Sequence, residues 1–199
     1  MTMIKNIGKK AIAMLLFFTI ICGGLYTVVV TGIGQLLFPF QTNGSLIVQN
    51  NVLTRSQIIG QPYHSMKHLW GRMSILDVQT YQDKDGNSLL YGGPSNDDPN
   101  SNKYSQLIKD RLAYIRDNHP EMGDTPVPVD LITVSASGLD PDISFAAASY
   151  QVQRIAKNKK ISPNKVREII TASRHSKIGS ILGEDTVNVG QVNQLLDEN

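Results

Sequence analysis

Residues Ala11–Ile33 read AIAMLLFFTIICGGLYTVVVTGI, without one charged side chain. After Lys10 the next charged residue is Arg55. As a helix, the stretch rises about 34 Å at ~1.5 Å per residue, enough to cross a hydrocarbon core of roughly 30 Å. A soluble core helix rarely needs so long an uninterrupted apolar face. The pattern predicts a transmembrane helix over 11–33, a cytoplasmic tail over 1–10, and one extracytoplasmic domain over 34–199.

The flanks set the orientation. Lys5, Lys9 and Lys10 precede the span, and the first ten residues contain no acid. Basic residues beside a span stay on the cytoplasmic side, so the N-terminus is expected inside and the chain from about Gln35 outside. A cleaved signal peptide is the competing reading. Against it, the apolar run exceeds an h-region of roughly 7–15 residues, and no A-x-A-like site follows. Cys22 follows Thr19-Ile20-Ile21, without the small residue expected beside a lipidated cysteine. Gly23, Thr27 and Thr31 recur every fourth residue, a small-residue stripe suited to packing against other membrane helices. The plainer alternative is that Gly and Thr are merely tolerated in lipid. With no charge in the span, no ion site or proton relay is expected there.

Composition narrows the rest. Of 199 residues, about 160 lie beyond the span, enough for one domain with a real core. The net charge of +2 is a topology signal: 19 basic residues less the three N-terminal lysines leaves 16, against 17 acidic ones. No nucleic-acid partner is expected from that balance. The single cysteine, inside the span, excludes an intramolecular disulfide in the domain.

Along that domain, Asn43-Gly44 marks a turn before a short strand at Leu46-Ile47-Val48. His64 and His68 have i, i+4 spacing, but no H-E-x-x-H pattern accompanies them, and solvated or hydrogen-bonded histidines are favoured over a metal site. Asp83-Lys84-Asp85-Gly86-Asn87 lacks the glycine and closing glutamate of a calcium loop and reads as a polar turn. The Gly92–Pro99 loop lacks the lysine-bearing pattern of a phosphate cradle. A helix is predicted over 102–118, ended by Pro120, and a strand over 127–134. Ser135-Ala136-Ser137-Gly138-Leu139-Asp140-Pro141-Asp142 gathers two hydroxyls and two carboxylates, a pattern open to nucleophilic catalysis or a cation site, yet no G-x-S-x-G elbow is present and a structural turn is preferred. Ser144 is expected to cap a helix reaching Asn158, and Ser162-Pro163 starts another. Gly179 and Gly183 punctuate the next turn, and Asn188 with Gln191 forms a capping pair for the last helix. The expected fold is a helix-rich α+β domain with few strands.

Taken together, several stretches resemble the KdpC family, the single-span accessory subunits of bacterial Kdp potassium-transporting P-type ATPases. They are Gly34-Gln35 with Phe38-Pro39-Phe40, Asn43-Gly44-Ser45-Leu46-Ile47, Ile59-Gly60-Gln61, Trp70-Gly71-Arg72, Pro128-Val129-Asp130-Leu131-Ile132-Thr133, Ser135 to Asp140, Tyr150-Gln151-Val152, Arg154-Ile155-Ala156-Lys157 and Val187-Asn188-Val189. Their order and spacing cover nearly the whole chain. The sequence departs from the family at Met73, where proline is usual, in a shorter Gly92–Pro99 loop, and at Gly190, which replaces a larger apolar residue.

The resemblance implies a subunit of the bacterial cytoplasmic membrane, in contact with lipid. Its implied partners are a channel-like potassium-translocating subunit, a P-type ATPase subunit and a very small membrane peptide. It also implies a catalytic chaperone that raises the pump's affinity for ATP, while potassium is bound by a partner. The chain itself has neither the D-K-T-G-T motif nor a Walker A loop, and one span cannot form a pore. With most of the chain outside and the pump's ATP inside, either the effect passes through membrane-helix packing or the topology is the reverse; the lysine asymmetry favours the topology given, and the route to ATP stays open. Were nucleotide bound directly, Ser135, Ser137, Asp140 and Gln151 are the residues at which to seek it. The rival classes are an anchored hydrolase using Ser135 or Ser137 and a stand-alone extracellular binding domain. No catalytic residue is assigned.

Overall fold

The apolar stretch forms one continuous helical rod in the computed structural model, which describes residues 2–49, 52–74, 76–77, 84–86, 91–176 and 182–198. Helix α1 spans Thr2–Phe18, a π-helical stretch takes Thr19–Tyr26, and α2 spans Thr27–Leu37. Ile7–Leu37 is long and apolar enough to cross a membrane. The helix therefore overruns the predicted 11–33 at both ends. Within the π stretch Gly23-Gly24 brings no side chain, and Thr27 Oγ1 donates to the Cys22 carbonyl, five residues back, at 3.1 Å. That five-residue reach is the spacing of a π-helix.

Pro39 then opens a one-turn helix, α3 (Pro39–Thr42), at the position where its missing N–H is harmless. Asn43 fastens the turn, donating to the Pro39 carbonyl at 2.6 Å and to Gln35 Oε1 at 3.1 Å. Gly44 takes φ +85°, as the predicted Asn-Gly turn requires. Strands β1 (Leu46–Gln49) and β2 (Val52–Ser56) come next and pair. The chain divides into two compact units, Met1–Thr54 and Arg55–Asn199.

The second unit is mixed helix and strand, with helices dominant. Strands β3 (Leu76–Asp77) and β4 (Tyr91–Gly92) make a short antiparallel ladder. Helix α4 (Asn102–Asp117) starts where Ser101 Oγ accepts the Tyr104 N–H at 3.1 Å. Strand β5 (Asp142–Ser144) leads into α5 (Phe145–Tyr150), α6 (Val152–Lys159) and α7 (Pro163–Ala172). Strands β6 (Arg174–His175) and β7 (Thr186–Asn188) precede α8 (Val189–Asp197). The three strands run in the order β5-β7-β6, all antiparallel, with Ile143 opposite Val187. Ser144, Ser162 and Asn188 each accept a backbone N–H three residues on, so the predicted caps form. Ile143 and Val187 meet Ile155, Val166, Ile170, Val192 and Leu196 in the core.

Two expectations are corrected. Over 127–134 there is no strand; Val129–Leu131 is a 3-10 turn, and Val134 makes only a single bridge, to Met73. Pro126 and Pro128 remove ladder donors, and Thr133 Oγ1 turns back to the Val129 carbonyl at 2.9 Å. The helix predicted from Ser144 to Asn158 is two helices, broken at Gln151, whose side chain is employed elsewhere. Asp83, Asn87 and Gly179 lie outside the described residues; Lys84–Gly86 is a turn.

Candidate functional site

Residues 65–72 run through the second unit without helix or strand, yet Leu69 and Trp70 are fully buried. Buried backbone polar groups need partners, and no ladder supplies them here. Side chains do so instead. Gln151 accepts the Trp70 N–H at 2.8 Å and donates to the Trp70 carbonyl at 2.9 Å. Asn193 repeats the arrangement on Leu69, accepting its N–H at 2.7 Å and donating to its carbonyl at 2.9 Å. Each carboxamide thus imitates one rung of a β-ladder.

Arg154 holds the rest of the segment. It is 1% exposed. It donates to the Met66 carbonyl at 2.7 Å, the His68 carbonyl at 3.0 Å and Gln151 Oε1 at 2.7 Å. Its guanidinium carbon lies 3.9 Å from the Trp70 ring centroid, within cation–π range. Nε donates to His119 Nε2 at 2.9 Å, and His119 Nδ1 donates to the Ile115 carbonyl at 2.7 Å. That pairing requires a neutral imidazole with its proton on Nδ1. Burial, with the Arg154 charge assisting, holds the His119 pKa down to about 4 against the Ile115 hydrogen bond. Burial also lowers Arg154, to about 10, which leaves it cationic at neutral pH.

Gln151 is therefore a core residue, with no exposed surface and both amide atoms engaged. Ser135, Ser137 and Asp140 are brought together, but by their own turn. Ser137 Oγ accepts the Leu139 N–H at 3.2 Å, Ser135 Oγ accepts the Asp140 N–H at 3.4 Å, and Asp140 accepts the Asp142 N–H at 3.0 Å. Gly138 sits at φ +72° against the Gly93 carbonyl, and a Cβ there would collide with it. A Cβ on Gly60 would lie 2.5 Å from the Asp140 carbonyl oxygen, and the Gly60 N–H donates to the Leu139 carbonyl at 2.7 Å. The turn is clamped between two other backbones. His68 Nε2 lies 2.9 Å from Asp197 Oδ1, a hydrogen-bonded histidine as expected.

On the other side of Trp70 a cleft of about 390 Å³ opens, lined by Tyr63, His64, Trp70, Arg72, Arg111 and Tyr114 among others. Tyr114 stacks on Trp70 at 5.5 Å with an interplanar angle of 23°. Arg111 lies 5.2 Å over the Tyr114 ring and spends its Nε on the Leu131 carbonyl at 3.0 Å. Arg72 reaches Asp130 and Thr133, each at 3.3 Å. Among the described residues no acidic side chain lines this cleft.

The family profile described as "KdpC: K+-transporting ATPase, c chain" matches residues 8–198. The chain belongs to the KdpC family. It is similar to the potassium-transporting ATPase KdpC subunit of Clostridium botulinum (strain Eklund 17B), 48% identical over 193 residues, 97% of this chain and 96% of that protein. The Clostridium perfringens KdpC subunit is 43% identical over 192 residues, 96% of this chain and 97% of that one. The Burkholderia cenocepacia protein of the same name is 39% identical over 193 residues, 97% and 96%. Membership makes the chain an accessory subunit of the Kdp potassium-transporting ATPase. Four stretches that carry the KdpC resemblance, at Trp70–Arg72, Asp130–Thr133, Tyr150–Val152 and Arg154, converge on this core and cleft. One departure from KdpC also has a local reason. A Cβ on Gly190 would lie 2.9 Å from Arg55 Nη1, so glycine makes room for the bond from Arg55 to Gln194 at 3.2 Å.

Asn193 and Leu69 escaped the sequence reading, and Arg154 entered it only within a stretch that carries the resemblance, with no role of its own. The available signal was an arginine flanked by Val152 and Ile155 on the apolar face of α6.

Proposed function

We propose that this chain is a non-catalytic subunit that joins the complex through its membrane helix and raises the ATP affinity of the P-type ATPase subunit. In this reading the N-terminus is cytoplasmic and the second unit lies outside. Potassium is carried by the channel-like subunit, and the small membrane peptide completes the assembly. The observation that carries the reading is the family match over residues 8–198. Two features support transmission through the helix. Gly23, Thr27 and Thr31 give this helix a small-residue stripe along which a neighbouring membrane helix can approach closely. Gln151, meanwhile, is occupied by Trp70 and Arg154. An effect on ATP without contact is a coupling between two states of the complex.

Gly23→Leu is expected to lower co-purification of the chain with the ATPase subunit about tenfold, and to raise the ATP concentration needed for half-maximal activity. Unchanged assembly and potassium-stimulated hydrolysis would count against helix packing as the route. Should Ser137→Ala or Asp140→Asn abolish the ATP effect with assembly intact, the nucleotide would belong at that turn instead.

Gln151→Ala tests a different matter. It strips hydrogen bonds from both backbone groups of Trp70 and from Arg154, and is expected to destabilise the chain by about 2 kcal/mol. Urea unfolding followed by Trp70 emission measures this; an unshifted midpoint would refute the structural role given to Gln151.

A further inference from the structure

We propose that the cleft over Trp70 receives a carboxylate-bearing segment of a partner subunit, met by Arg72 and Arg111 and seated against Tyr114. The proposal rests on the subunit reading above and adds the surface and chemistry of one contact.

Charge comes first. Arg111 has no acidic partner among the described residues; its one hydrogen bond leaves both terminal nitrogens of the fork to the cleft side chains and solvent. Arg72 is only partly compensated. Its Asp130 contact is long, at 3.3 Å, and the same carboxylate accepts the Ser144 N–H at 2.8 Å through its other oxygen. Arg72 Nε is buried without an acceptor. The cleft thus carries about one uncompensated positive charge, or slightly more, in a partly desolvated place. A single carboxylate matches that charge and the planar fork of a guanidinium. A nucleoside triphosphate, at about −3 to −4, overshoots it.

Composition points the same way. Tyrosine, tryptophan and arginine dominate the residues that anchor protein interfaces. Tyr114 is 41% exposed on one side while Trp70 supports the other. Gln151 and Arg154 hold Trp70 from behind, so the platform is rigid before anything binds, which limits the ordering a partner must impose.

The test uses the assembled complex in its membrane, with Tyr114 replaced by the photo-cross-linker p-benzoylphenylalanine. Irradiation is expected to join position 114 to a peptide of a partner subunit that contains Asp or Glu, identified by mass spectrometry. Arg111→Gln is expected to reduce the yield about tenfold, the effect of losing one interface anchor. His64→Glu places a like charge at the exposed rim, where no internal hydrogen bond is lost, and is expected to reduce the yield as well. An intact complex without a cross-link overturns the proposal, as does a cross-linked peptide without an acid. Suppression of the yield by millimolar ATP or inorganic phosphate, with assembly unchanged, assigns the cleft to a small anion and also overturns it. If the chain does not co-purify with a P-type ATPase, the subunit reading falls and the proposal with it; if it does and only the cross-link is missing, the proposal alone falls.

Discussion

Replacing Arg154 with alanine is expected to destabilise the second unit by about 3–5 kcal/mol, since it removes several charge-assisted hydrogen bonds and leaves a buried acceptor unsatisfied. The side chain serves the Met66 and His68 carbonyls, Gln151 Oε1 and His119 Nε2, all at 3.0 Å or less. Each is a bond to a charged donor, worth roughly 1.5–3 kcal/mol, and two of the acceptors, on Gln151 and His119, are buried. Once the donor is gone, His119 Nε2 stays unsatisfied and Gln151 Oε1 keeps only the Trp70 N–H. Lysine is no substitute. Its ammonium is a compact point charge with three donors, whereas the observed bonds use a flat fork lying on Trp70. Arg154→Lys should therefore recover less than half of the loss. The measurement is urea unfolding of the full-length chain in mild detergent, read by the emission of Trp70, the sole tryptophan. A loss below about 1 kcal/mol for Arg154→Ala would refute the assignment of this residue as the tie across the unit.

Local chemistry explains which parts of the fold were legible. The apolar helix needs only its own composition to be recognised. Ser101, Ser144, Ser162 and Asn188 each cap a helix by accepting an N–H only three residues further along the chain. The failure at 127–134 is equally local in appearance but not in cause. Val127 to Val134 has the composition of a strand, yet Asp130 is recruited by Arg72 and by the Ser144 N–H, and the chain curls to reach them. The π stretch was hidden because a Gly-Gly pair is compatible with several helical forms.

The site was legible only in part, since its decisive contacts are remote in sequence. Gln151 stood out through resemblance, but its partner Trp70 is 81 residues away, and Asn193 grips Leu69 across 124. No periodicity announces that a carboxamide will take the place of a neighbouring strand. The cleft is less legible still, because it joins Arg72 from the irregular segment to Arg111 and Tyr114 on α4. The Ser135–Asp140 turn reads as structure in preference to a nucleophile, and its glycine has a reason visible in space: only a residue without a Cβ passes the Gly93 carbonyl.

The same network makes acid the condition that should loosen the unit. His119 is neutral in the folded chain, its pKa lowered to about 4 chiefly by burial, while an unfolded histidine titrates near 6.5. Between those values the unfolded chain binds a proton that the folded chain refuses, so stability falls as pH is lowered. The contribution is fully present above about 6.5 and is lost as pH falls through about 4, for a total on the order of 3 kcal/mol at 1.36 per pH unit. His119→Gln isolates it. A glutamine amide offers an acceptor for Arg154 Nε and a donor for the Ile115 carbonyl, but takes no proton in this range. Carboxylates contribute equally to both proteins, so the informative quantity is the stability of the parent chain minus that of His119→Gln at each pH. That difference should drop by about 3 kcal/mol between pH 7 and pH 4. A difference independent of pH would mean that His119 titrates alike in the folded and unfolded chains, and its assignment as a buried neutral acceptor for Arg154 would have to be abandoned.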